Sequence, residues 1–119
     1  MARHALTRMD NDCIVVLVTV GSREEGERIA SALVGEQLAA CVNIVGPIES
    51  IYRWDDQVQR DQELLLIVKT RSALFGDLAA RVTALHSYQT PEVIAMPISA
   101  GSQAYVDWLR GATRAPNKE

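Results

Sequence analysis

The chain has 119 residues, 48% hydrophobic and 23% charged, enough for one domain with a real core under an ordinary surface. Twelve lysines and arginines against fifteen aspartates and glutamates leave a net charge of −3, which argues against gripping DNA or RNA through phosphates. No apolar run reaches the roughly 18 residues that a membrane helix needs, and two cysteines are too few for a disulfide-stapled fold.

Residues 1–12 carry Arg3, His4 and Arg8 without an apolar stretch, and read as a flexible tail rather than a secretory leader. With the low cysteine count, this predicts a cytoplasmic protein. Residues 13–20 are a β-branched run, the pattern of a strand buried on both faces. Gly21-Ser22 breaks it. Ser22 with Glu25 three residues on has capping-box spacing, and Ile29, Ala30, Leu33, Val34 and Leu38 predict an amphipathic helix over about 22–37.

A second strand is predicted over 39–54, with Gly46-Pro47 marking a bulge and confining the stretch to a sheet edge. Asp55-Asp56 is a turn. The third strand returns over 57–70, and a helix follows from about Ser72 with Leu74, Phe75, Leu78, Val82 and Leu85 as its inner stripe. After a loop from His86 to Pro91 come a short strand, 92–98, and a last helix opened by Gly101-Ser102 and carrying Tyr105, Trp108 and Leu109. Residues 113–119 read as a C-terminal tail.

The order β-α-β-β-α-β plus a helix over residues 13–112 predicts an α+β, ferredoxin-like fold. Right-handed crossovers place the third strand between the first two, leaving the second and fourth as edges of an antiparallel sheet. Cys13 and Cys41 then begin strands on either side of a third, about 9–10 Å apart, too far for a disulfide. Cys13, at the strand's end, is expected to be exposed.

The hairpin arms between Pro47 and Thr70 run to about ten residues, roughly 33 Å, longer than two helices of about four turns can cover. Ile48, Ile51, Tyr52, Trp54 and Val58 would stand open on an edge. A closed homo-oligomer made by edge-strand pairing would bury them.

Several motifs carry a family likeness: Leu38-Ala39-Ala40-Cys41-Val42-Asn43-Ile44, Ser50-Ile51-Tyr52-Arg53-Trp54, Glu63 with Leu66-Ile67-Val68-Lys69-Thr70, His86-x-Tyr88-x-x-Pro91-Glu92 and Tyr105-Val106-Asp107-Trp108-Leu109. In their order, from about Ile14 to Gly111, the chain resembles the CutA divalent-cation tolerance family. The resemblance implies a ferredoxin-like subunit, a stable homotrimer, a cytoplasmic home, and tolerance of copper and other divalent metals. Copper-binding members have a thiol in the first strand and a second histidine beside the motif histidine. Here those places hold Val18 and Leu85.

His86, Cys41 and Glu92 are the metal candidates, a nitrogen, a soft sulfur and a carboxylate suited to weakly held copper or another divalent cation. For each of the first two there is a structural reading: His86 ends a helix and can satisfy terminal carbonyls, and Cys41 between alanine and valine is a small hydrophobe. Tyr52, Arg53, Trp54, Glu63, Lys69 and Tyr88, with Glu92, form a second constellation, which as plain structure would be ion pairs and aromatic anchors of a subunit interface. By the resemblance it gathers in a cleft between subunits, where Lys69 and the glutamates would hold an anionic or zwitterionic small molecule and the aromatics would supply stacking area. No phosphate loop or nucleophile elbow is present, so no enzymatic activity is expected. Three functions remain open: a metal-associated protein, a small-molecule signalling trimer of the nitrogen-regulatory type by fold analogy, or a stable scaffold that serves a partner protein. The sequence names no partner protein.

Overall fold

The computed structural model describes residues 6–8 and 12–116. Its elements are β1 (Leu6–Arg8), β2 (Cys13–Val20), α1 (Arg23–Gly35), β3 (Cys41–Trp54), β4 (Gln57–Arg71), α2 (Phe75–Leu85) after a 3-10 turn, β5 (Val93–Pro97), β6 (Ala100–Ser102) and α3 (Gln103–Gly111). The main sheet is antiparallel, in the order β3-β4-β2-β5. The third predicted strand lies in the middle and the second and fourth are edges, as the ferredoxin-like pattern requires.

Helices α1 and α2 cover one face. Ile14, Val16, Val18 and Val20 from β2, and Leu64, Leu66 and Val68 from β4, meet Ile29, Leu33, Leu78 and Val82 in one core. Period-two alternation in the strands and the i, i+4 spacing in the helices put these residues on facing surfaces. Each such buried aliphatic contributes about 1.5–3 kcal/mol. Thr70, also buried, donates its hydroxyl to the Leu38 carbonyl at 2.7 Å and ties β4 to the start of β3.

The other face differs from expectation. Val15, Leu17 and Thr19 of β2 are only half-buried, and Ile94 and Met96 of β5 and Val45 of β3 stand exposed. Strand β2 reads as apolar on both faces because of its residues, but within one chain only one face has helices over it. Helix α3 covers just the far end, where Val106 and Leu109 pack on Cys13 and Ala40. Cys13 is therefore fully buried rather than exposed, and burial first, then the neighbouring Asp12, raises its thiol pKa. That is an inert thiol. Both cysteines are free, on strands either side of β4. Tyr105 and Trp108 lie on the exposed side of α3, 5.4 Å apart.

Local details follow the residues. The Ser22 hydroxyl caps α1 by accepting from the Glu25 N–H at 3.2 Å. Asp55 and Asp56 both take positive φ in the hairpin turn. Between Val45 and Ile48 the β3–β4 register slips at Gly46-Pro47, the expected bulge.

The described parts of the predicted tails are paired or packed. Leu6–Arg8 pairs antiparallel with Ala100–Ser102, and Arg110 bonds Asp12 at 2.5 Å. At the other end Thr113 is buried and accepts from Arg71 at 2.9 Å, so packing continues past residue 112. The remaining parts of the predicted tails, 1–5, 9–11 and 117–119, lie outside the described residues.

Candidate functional site

Beyond Ile48 the β3–β4 hairpin runs clear of the helices, and Val58 near its tip is 68% exposed. On its inner side lies an open groove of about 610 Å³, within the range of small-molecule sites. One wall is the hairpin, with Ser50, Tyr52 and Trp54; the other is the loop after α2, with Tyr88, Gln89, Thr90 and Glu92. Glu63 and Thr19 form the base between them.

The register explains the grouping. Ser50 pairs with Asp61 and Ile48 with Glu63, so Ser50, Tyr52, Trp54 and Glu63 share the sheet face that the helices leave open. Tyr88 reaches this face by crossing over Gly21, where an added Cβ would meet its hydroxyl at 3.2 Å. Its hydroxyl then donates to Glu63 Oε2 at 2.7 Å. Burial, and next the bond to Glu63, raise the Tyr88 phenol well above its ordinary pKa, so it remains a donor. Across the groove, Tyr52 donates to Asp61, and that bond raises its pKa as well.

A buried clip holds the second wall in place. Glu25 accepts from the Ser87 N–H at 2.6 Å and from the Ser87 hydroxyl at 3.0 Å, and His86 Nδ1 stands 3.4 Å from Glu25 Oε2. Burial acts to raise the Glu25 pKa, but the hydrogen bonds it accepts, those from Ser87 first, outweigh it and hold the carboxyl below its ordinary value. The His86 ring is fully buried. Its Nε2 is 2.7 Å from the Thr19 carbonyl, which can only accept, and its Nδ1 accepts from the Tyr88 N–H at 3.0 Å. The ring proton therefore sits on Nε2, and neither nitrogen keeps a lone pair for a metal.

Within one chain the groove brings together Tyr52, Trp54, Glu63, Tyr88 and Glu92, and it leaves out the candidates Lys69, Cys41, His86 and Arg53. Lys69 lies six residues along β4 from Glu63, about 20 Å of strand rise, and bonds Asn43. Without it, the charged groups that line the groove within one chain are carboxylates. Cys41 is opposite Lys69, which is opposite Val15, while His86 sits on Thr19 four residues away along β2. The expected trio of His86, Cys41 and Glu92 is thus not assembled, and among the described residues no three His, Cys, Asp or Glu converge as a metal site. Glu25 was visible in the sequence only as a capping-box residue; its bond to Ser87, 62 positions away, has no local signal.

The comparisons with known proteins agree with the fold. Residues 14–112 match the family model of the CutA1 divalent ion tolerance protein. The chain belongs to that family. It is 54% identical over 101 residues to the chloroplastic protein CutA of Arabidopsis thaliana, covering 85% of this chain and 56% of that one. To the chloroplastic protein CutA 1 of rice it is 50% identical, covering 95% of this chain and 64% of that one, so it spans under two thirds of both plant proteins. The structure of the divalent cation tolerance protein (Cut A1) from Thermus thermophilus superposes with a TM-score of 0.84 at 55% identity, covering 86% of this chain and 99% of that one. Among the described residues no helix is long and apolar enough to cross a membrane.

Proposed function

We propose that this member of the CutA1 family serves divalent-cation tolerance as a non-enzymatic homotrimer that binds a small organic molecule in the groove between the hairpin and the Tyr88–Glu92 loop. The observation that carries the reading is the groove itself: exposed Trp54 and Tyr52 beside the hydrogen bond from Tyr88 to the buried Glu63, the mix of apolar wall and few oriented polar groups typical of ligand sites. The trimer is supported by the half-open apolar sheet face and by the long uncovered edge strand β3. The absence of catalysis is supported by Ser87, whose hydroxyl is bound to Glu25 instead of a histidine nitrogen. A cytoplasmic location is supported by the two free thiols.

Direct copper binding is the second reading, and the observation favouring it is the half-exposed thiol of Cys41 beside Asn43. A fragment library screened by thermal unfolding separates the two, since a ligand of the native state raises its melting temperature. Fragments should stabilise the wild type and lose their effect in Trp54→Ala, with light scattering giving three times the chain mass. Stabilisation by Cu²⁺ alone, abolished by Cys41→Ser and indifferent to Trp54→Ala, would overturn the groove reading. A monomer mass would overturn the assembly.

A further inference from the structure

We propose that His86 is a proton-operated latch: taking up a proton at Nδ1, the ring gives up the Tyr88 N–H, bonds Glu25 instead, and frees the loop after α2. The ring is fully buried within one chain, so assembly into an oligomer brings no further group onto it. The latch also needs no ligand in the groove.

In the neutral ring Nε2 donates to the Thr19 carbonyl at 2.7 Å, and the Nδ1 lone pair accepts from the Tyr88 N–H at 3.0 Å. Nδ1 also stands 3.4 Å from Glu25 Oε2. There an acceptor faces an acceptor, and no bond forms. A proton on Nδ1 reverses both relations. The nitrogen becomes a donor, so it can no longer hold the Tyr88 N–H, and two N–H groups then oppose each other. Toward Glu25 the same contact turns into a charge-assisted bond. Oε2 already accepts from the Ser87 N–H at 2.6 Å, and a carboxylate oxygen has room for a second donor. A buried imidazolium needs a counter-charge, and Glu25 supplies it. Thr19 keeps its bond in both states, so the ring stays anchored on β2 and the change falls on the loop.

The surroundings leave the imidazole as the titrating group. Glu25 faces the ring from α1 and the Thr19 carbonyl from β2. From the loop comes Tyr88, whose own ring lies 4.7 Å away and whose hydroxyl is tied to Glu63 of β4. Arg28 of α1 reaches the Leu85 carbonyl just before His86, at 3.4 Å. Carboxylates ordinarily titrate below this range, and phenols and guanidinium groups well above it. Imidazole is the side-chain type that changes charge between about pH 5 and pH 8.

Proton–nitrogen spectra of the whole protein, recorded from about pH 8 down to pH 5, cover that range. In the wild type the Tyr88 amide should titrate with the same midpoint as the His86 ring nitrogens. Its hydrogen-exchange protection factor should fall about tenfold across the transition, the usual worth of one hydrogen bond. His86→Asn keeps an oxygen that can accept from the N–H two residues on, as in an Asx-turn, and takes up no proton. Its Tyr88 amide should be indifferent to pH in the same window. A ring that stays neutral throughout, or one that titrates while the Tyr88 amide does not move, would overturn the latch. So would a Tyr88 transition that persists in His86→Asn. The first two outcomes are read on the wild type alone and hold whether or not the variant folds.

Discussion

Replacing Glu25 with alanine should destabilise the fold by about 2–4 kcal/mol, the range for removing one member of a buried charged hydrogen-bond network. Glu25 is 6% exposed and holds both the N–H and the hydroxyl of Ser87. Its loss leaves that N–H without its acceptor and frees the loop that carries Tyr88. The same residue sets a pH dependence. Its folded pKa lies below the ordinary value of 4.5, so its contribution is complete above about pH 4.5 and is lost as pH falls through the depressed folded value. Urea denaturation of wild type and Glu25→Gln should therefore show a gap at pH 7 that closes toward pH 3. A gap that is constant with pH would mean the carboxylate charge plays no part.

The second large effect is expected at Gly46. Its φ of +146° is a conformation that side chains rarely adopt, and an added Cβ would lie 3.2 Å from the Glu63 carbonyl and from Leu64 Cα. Those are backbone atoms of the neighbouring strand, so the clash cannot be relieved by a rotamer change. Gly46→Ala should cost about 2–3 kcal/mol, combining backbone strain with local spreading of the ladder. Because Glu63 forms the base of the groove, ligand affinity should fall along with stability. A variant as stable as wild type in chemical denaturation would show that the bulge is freer than its geometry states.

These two residues mark where sequence reasoning succeeds and where it stops. The bulge at Gly46-Pro47, the turn at Asp55-Asp56 and the order of the strands are legible, because each depends on a few neighbouring residues with strong conformational preferences. The groove is half legible. Tyr52, Trp54 and Glu63 follow from period-two placement on one hairpin, and Tyr88 and Glu92 from their motif. Lys69 misleads because it shares the sheet face with Glu63 while lying far along the same strand; the sequence pattern encodes face, and the ligand site depends on position along it. Cys13 misleads because its cover comes from α3, about 95 residues away in the chain. His86 is a reasonable metal candidate by type. Its two ring bonds, to Thr19 and Tyr88, arise only when β2 and the loop meet.

His86 is thus a structural clip between β2 and the loop after α2. Long-range proton–nitrogen correlation spectra of the imidazole rings, recorded during a Zn²⁺ titration, test this most directly. The His86 ring should show the Nε2–H tautomer at neutral pH and keep its nitrogen shifts unchanged past one equivalent of zinc. A saturable shift of either His86 nitrogen at one ion per chain would contradict that role and return the metal to the ring.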